Sequence, residues 1–518
     1  MKQHLHYYSS HLDHDIPAGV VVFLVALPLC LGIATASGAP PLSGVIAGVI
    51  GGLVVSIASG SQLSVSGPAA GLTVIVATTI EKLGFEGLLL AVALSGLLQF
   101  AMGFLRAGVI GAYFPSAVIK GMLAAIGLIL IMKQIPHAIG YDVEAESDPS
   151  FLESDDRMPL RTIFESFKAI SPGAVVVSIV SLTILLLWET SRVKRLRLLA
   201  LAPAPLIVVL FGVAYNAVAQ SFFPSFGIAR QHLVTLPMVS GPSEFARHLI
   251  LPDFSQWQNP QIYITAATLA LVGSLETLLS LEAVEKLDPL KRSTPTNQEL
   301  KAQGLGNFLS GMLGGLPLTA VIVRSSANID AGAHTKAASF IHGALLLLSV
   351  IFLPDLLNMI PLACLAAVLL LTGYKLAKPK IAMEQYKKGF NQFAPFAVTI
   401  IAILLTDLLK GMALGMAVGF FFVLRANYHR AFALTKDGRN YLLPLQKDVS
   451  FLNRASLRSY LQSIETNSSL MIDGTRATFI DQDILETLED FIKSAEEADI
   501  KVETNNVLGL SPANKTLK

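Results

Sequence analysis

Long apolar stretches separated by short polar turns run from about residue 17 to residue 426, and the pattern then changes. A straight helix needs about 20 apolar residues to cross hydrocarbon, and a broken one needs fewer. On that measure the chain carries fourteen predicted segments, at 17–37, 42–59, 67–80, 86–105, 109–134, 171–189, 198–219, 261–281, 300–314, 319–330, 335–353, 359–373, 394–408 and 410–426. The third and tenth are too short, and too rich in Gly and Pro at their starts, to cross alone. Each follows an irregular stretch, "SGSQLSVSGP" (59–68) and "GGLPL" (314–318). Past residue 427 the apolar runs shorten. Residues 470–472 and 479–480 read as strands, while the spacing of Leu457, Leu461, Ile464 and of Leu485, Leu488, Ile492 predicts amphipathic helices. This part is expected to be a small α/β appendage.

Composition sharpens the class. Hydrophobic residues make up 53% of the chain and charged ones 14%, with a mean hydropathy of +0.60, which excludes an ordinary soluble enzyme and predicts an α-helical polytopic membrane protein. A formal net charge of +1 gives no reason to expect nucleic acid as a partner; membrane lipid is the expected surrounding. Cys30 and Cys364 both lie in apolar runs, so neither a disulfide framework nor a zinc site is expected, and no other metal or cofactor is. The leader "MKQHLHYYSSHLDHD" is polar where a signal peptide would be apolar, and its His4, His6, His11 and His14 read as solvated side chains, not ligands.

Lys and Arg gather in "SRVKRLR" (191–197), "EKLDPLKR" (285–292) and the loop "YKLAKPKIAMEQYKK" (374–388). Fourteen crossings put these loops on one side with both termini, and the positive-inside rule makes that side the cytoplasm. The loops at 136–170 and 223–259, the first with an acidic run at 142–156, then face outward. The expected domains are a cytosolic leader at 1–15, a membrane domain at 16–430 in an inner or plasma membrane, and a cytosolic domain at 440–518.

An internal repeat is visible in position more than in identity. Pro28 to Pro68 spans 40 residues, and Glu276 to Pro317 spans 41, with a Gly-rich helix between the markers in each half, "SGVIAGVIGG" (43–52) and "GLGNFLSGMLGG" (304–315). Seven segments per half invert the second half relative to the first, so the two broken helices should point their N-termini at each other near the midplane.

Those N-termini are the candidate site. Exposed N–H groups at a helix start, with the positive pole of the helix dipole, hold an anion without a charged side chain, and small residues let it approach. Gly67, Ala69 and Ala70 would form the floor. Arg324, two turns beyond Pro317, is a cation at a depth that costs about 2.5–3.5 kcal/mol on insertion scales. It is expected to line a water-filled anion cavity; the alternative is a structural ion pair with Glu276. Glu276, with Ser280 one turn on, is the expected coupling residue. A proton or sodium ion there leaves the cavity net positive, and a carboxyl group taken out of water favours its neutral form.

The stretches "APPLSGVIAGV" with "SGSQLSVSGPAAG", "GLPLTAVIVRSSANIDAGAHTKAAS" and "FPSAVIKGMLAAIGLILIMKQI" (114–135) resemble the SulP anion transporters, relatives of solute carrier family 26. The C-terminal "SLMIDGTRATFIDQD" resembles the sulfate-transporter and anti-sigma-antagonist (STAS) domain of that family, in shortened form. The resemblance implies 14 transmembrane segments in a 7+7 inverted repeat, core and gate domains, half-helices 3 and 10, a homodimer, and an elevator-like movement of the core. It implies a substrate held by Ser66, Gly67, Pro68, Ala69 and Ala70 from the first half and Ala320, Val321, Ile322, Val323 and Arg324 from the second, with Glu276 beside it. Pro28-Leu29-Cys30 lacks the glutamine of many members, and Ile322 stands where a threonine would help hold sodium, which brings a proton forward as the coupled ion. Asp473 and Asp481 match the strand-turn-strand of the domain. Gln482 replaces a frequently phosphorylated serine, so the appendage is expected to serve assembly more than switching.

The leading expectation is secondary transport of a small inorganic anion, bicarbonate or sulfate first. A nucleobase permease shares the architecture, but a neutral base has less use for a fixed cation. A non-transporting sensor or scaffold would have no need of two paired helix breaks. No enzyme is expected, since no nucleophile–base pair or nucleotide loop is present in a plausible site.

Overall fold

The computed structural model describes residues 11–109, 114–141, 170–188, 190, 203–237, 244, 247–406, 408–428, 434–446 and 449–509. His4, His6, the acidic run at 142–156 and the basic loop at 191–197 lie outside them. The chain divides into two compact units, Met1–Met416 and Ala417–Lys518. That boundary falls inside a helix, earlier than the expected 430.

In the first unit α1 (Leu12–Ala36) absorbs Pro17 and Pro28. Next, α2 (Pro41–Ile50) continues through a π turn at Gly51–Val55. After β1 (Ser66–Pro68) and a tight turn comes α3 (Thr73–Phe104), which joins the third and fourth predicted segments across Gly84. Gly84 has φ 72°, a left-handed value open to a residue without Cβ. Then follow α4 (Ser116–Ala138), α5 (Pro172–Trp188), α6 (Ala204–Phe222), α7 (Pro260–Leu287) and α8 (Thr296–Met312). The second break is β2 (Leu318–Ala320), followed by α9 (Ile322–Asp330), α10 (Ala337–Phe352), α11 (Leu362–Leu376), α12 (Pro379–Lys387), α13 (Phe390–Leu405) and α14 (Leu408–Tyr428). The stretch read from sequence as a basic loop at 374–388 is therefore largely helical: Pro379, at its first turn, has the φ a helix needs and no N–H to waste.

Seven helical stretches among the described residues are long and apolar enough to cross a bilayer, including α1, α3, α4, α6 and α7; α5, α10, α13 and α14 are shorter apolar helices. Among them α3 lies against α7 and α8, and α1 against α2, α10 and α11, while α4 lies against α11 and α13, with α5 on α11. The contact of α3 with α8 is backbone to backbone, since a Cβ on Gly304 would come within 2.5 Å of the Phe100 nitrogen. The expected leader ends early. Asp15 already belongs to α1, is fully buried, and accepts hydrogen bonds from the N–H groups of His334 (2.8 Å) and Thr335 (3.0 Å) and from the Thr335 hydroxyl.

The second unit holds β3 (Thr435–Asp437), β4 (Asn440–Gln446), α15 (Arg454–Gln462), β5 (Ser469–Arg476), α16 (Gln482–Ala495) and β6 (Lys501–Asn505), with sheet order β3-β4-β5-β6 and parallel pairing from β4 to β6. Alternate residues Tyr441, Leu443, Leu445 and Leu470, Ile472 are buried with Leu457 and Leu461 of α15 and Ile484 and Leu488 of α16. The strand expected at 479–480 is only a single bridge, Ile480 to Val449. Asp481 caps α16 by accepting the Asp483 N–H at 3.0 Å, which turns the chain into helix before a ladder can extend.

Gly304→Leu should force α3 and α8 apart at a cost of about 1–3 kcal/mol or more. The expected result is a lower melting midpoint in a size-exclusion thermal assay; an unchanged midpoint would mean the two helices need no such contact.

Candidate functional site

A chain that leaves the helix inside a membrane must pair its own peptide groups. The two breaks do this with each other: Ser66 pairs with Ala320, Gly67 with Thr319 and Pro68 with Leu318, antiparallel. Where this ladder runs out, neighbours take over. The Val321 N–H donates to the Val65 carbonyl at 2.9 Å, and the Val65 N–H donates to Ser325 Oγ at 3.0 Å. Thr277 Oγ1 on α7 accepts the Ala320 N–H at 3.3 Å.

Most of the support comes from α8. Asn307 accepts the Leu318 N–H at 2.7 Å, donates to the Leu318 carbonyl at 3.0 Å, and donates to Gln99 Oε1 on α3 at 2.7 Å. Gln303 Nε2 donates to Ser66 Oγ at 2.7 Å and to Glu299 Oε1 at 2.9 Å, and Ser310 Oγ donates to the Leu316 carbonyl at 2.6 Å. Spacings of four, four and three put Glu299, Gln303, Asn307 and Ser310 on one face of α8. All four are buried. Sequence reading missed them because the helix was read as a plain span; the polar stripe at helical spacing was the available signal.

From the two strands the chain enters helix at Ala70–Leu72, leading into α3, and at Ile322. Neither start has a side-chain cap, so each leaves backbone donors at the positive end of its helix dipole. Ser66, Gly67, Pro68, Ala69 and Ala320 are buried in this junction, Ala70 and Val321 are half-buried, and Ile322 and Val323 are 41% and 36% exposed. The expected floor residues are thus brought to one place.

Arg324 departs from expectation. It is fully buried, and Nε, Nη1 and Nη2 have no hydrogen-bond partner. Its guanidinium packs on Gly67, where any Cβ would collide with Nη1. Two residues of helix rotate a side chain by about 200°, so while Ile322 is exposed Arg324 faces inward, against Gly67 of β1. It lines no water-filled cavity here, and it forms no ion pair with Glu276. The Glu276 carboxylate lies instead beside the start of α3, where a Cβ on Gly71 would come within 2.7 Å of both oxygens. Its Oε2 is buried and unpaired, and Ser280, one turn on, is buried as well. Cys30, read from the sequence as a cysteine in an apolar run where many relatives carry glutamine nearby, and His342, which the sequence did not single out, are both fully buried within reach of the charge of Arg324, and neither ring nitrogen of His342 has a partner. Among the described residues no group of His, Cys, Asp and Glu could hold a metal ion.

The sequence profile of the Sulfate permease family matches residues 12–403. YvdB of Bacillus subtilis is 28% identical over 426 residues, 81% of this chain and 75% of its own length. The transmembrane domain of a cyanobacterial bicarbonate transporter, BicA, superimposes with a TM-score of 0.64 at 23% identity, covering 78% of this chain and 97% of that one. The structure of SLC26A9 gives a TM-score of 0.77 at 15% identity, covering 97% of this chain and 85% of that one. The fold is that of these helical membrane transporters.

Asn307→Ala would strand the Leu318 N–H and carbonyl and Gln99 Oε1 in the interior, at roughly 1–3 kcal/mol for each group. A melting midpoint several degrees lower is expected in the same thermal assay. An unchanged midpoint would show that β2 is held without α8.

Proposed function

Given that the chain belongs to the sulfate permease family and is a multi-pass membrane protein, we propose that it is a secondary active transporter of a small inorganic anion of the bicarbonate or sulfate class. The observation that carries this reading is the junction itself: two uncapped helix starts joined by β1 and β2, above a guanidinium with no partner. A buried cation without a counter-charge is costly by several kcal/mol. An anion seated at Ser66–Ala70 and Ala320–Val323 supplies that counter-charge, receiving backbone N–H groups directly and the field of Arg324 through the thin strand at Gly67.

Coupling follows from Glu276. Ionised, its carboxylate competes with an incoming anion for the donors at Gly71; a proton, or a sodium ion shared with Ser280, removes that competition. Antiparallel pairing of the two breaks is what a 7+7 inversion of fourteen segments requires. On this reading the helices that carry β1 and β2 move together, as in an elevator. The same reading takes the carrier as a homodimer in a plasma or inner membrane with both termini cytoplasmic, and the α/β unit as a shortened STAS-like domain.

Arg324→Ala should abolish anion uptake into proteoliposomes, a loss of at least a hundredfold, while the protein still purifies as a folded species. Normal uptake would end its role in the site. Glu276→Gln, which mimics the neutral carboxyl, should leave uptake that no longer responds to imposed proton or sodium gradients; a persisting response would put coupling elsewhere.

A further inference from the structure

The helix α12 connects the apolar helices α11 and α13, and its exposed lysines favour the boundary between hydrocarbon and water. Its inner face is accounted for. Ile381 and Ala382 pack with Ala117, Ala124, Phe393 and Phe396 at the ends of α4 and α13, and Gln385 is buried. Its outer face is not. Met383 is 55% exposed and stands among Lys380 and Lys387, both exposed, with Lys388 just beyond, while Tyr386 rests edge-on against Phe393 of α13 and is still 66% exposed. Residues 375–388 contain five lysines against a single acid, Glu384.

Water disfavours the thioether and the phenol ring, and hydrocarbon disfavours the ammonium groups. The layer between them suits both, because lysine stems and tyrosine rings lie along apolar surface while their polar ends reach out. Within that layer the net charge of +4 over residues 375–388, the helix and its two flanks, selects negative headgroups. From this charge complementarity and the helix's position we infer that the outer face of α12 is a docking surface for anionic phospholipid headgroups, with Met383 and Tyr386 set into the acyl boundary. The inference does not depend on which anion is carried, nor on transport at all.

The test is lipid selection by the full-length protein. Purified and delipidated in detergent, then offered phosphatidylglycerol and phosphatidylcholine in equal amounts, it should retain the anionic lipid in excess, as read by mass spectrometry. K380Q/K387Q/K388Q should cut that excess by roughly fivefold per charge removed. M383S/Y386S should lower retention of both lipids alike. An excess unchanged in the lysine variant overturns the inference. So does an excess abolished by free inorganic phosphate but not by chloride of equal ionic strength, which would make this a phosphate site. A protein chain cross-linked to α12 in place of lipid would overturn it as well.

Discussion

Peptide groups cannot stay unpaired in hydrocarbon, and a helix that stops halfway across exposes several of them at once. Everything near the junction answers that constraint. The two interruptions solve most of it for each other by pairing Ser66–Pro68 with Leu318–Ala320. What remains is met by side chains from α7 and α8, with the Asn307 amide acting in the place of a third strand. Proline at position 68 fits the same logic, because it brings no donor to a place where donors are hard to satisfy.

The charges are arranged by glycine. Gly67 lets the Arg324 guanidinium lie against one strand, and Gly71 lets the Glu276 carboxylate lie against the following turn. Cation and carboxylate are thereby kept apart, each opposite backbone in place of each other. As the proposed anion site, such an arrangement would read charge through amide dipoles more than shape through side chains. On the proposed reading that would suit oxyanions of different geometry, with the finer choice among them left to exposed residues such as Ile322 and Val323.

Much of this was legible in the chain. The two irregular stretches, their spacing from Pro28 and Glu276, and the presence of ionisable residues at depth pointed to the junction, because breaks and buried charges leave strong local marks. Orientation left none. Whether Arg324 faces the opening or the protein depends on where α9 begins, and a shift of two residues turns the side chain to the other side. The supports at Gln99, Gln303 and Asn307 come from helices distant in sequence, so only the polar stripe on α8 could have announced them. His342 left no mark either, since one histidine in an apolar helix reads the same whether or not it approaches a cation. In the α/β unit the alternation of Leu470 and Ile472 was clear, while the run at 479–480 was too short to outweigh the cap at Asp481.

Gln303 holds the first strand and Asn307 the second, from successive turns of one continuous rod. Both halves of the cradle are therefore lashed to a common spar and must ride together. If the junction is the anion seat, as proposed, a carrier so built would offer its cargo an identical seat on either face of the membrane, leaving net direction to the gradients outside it.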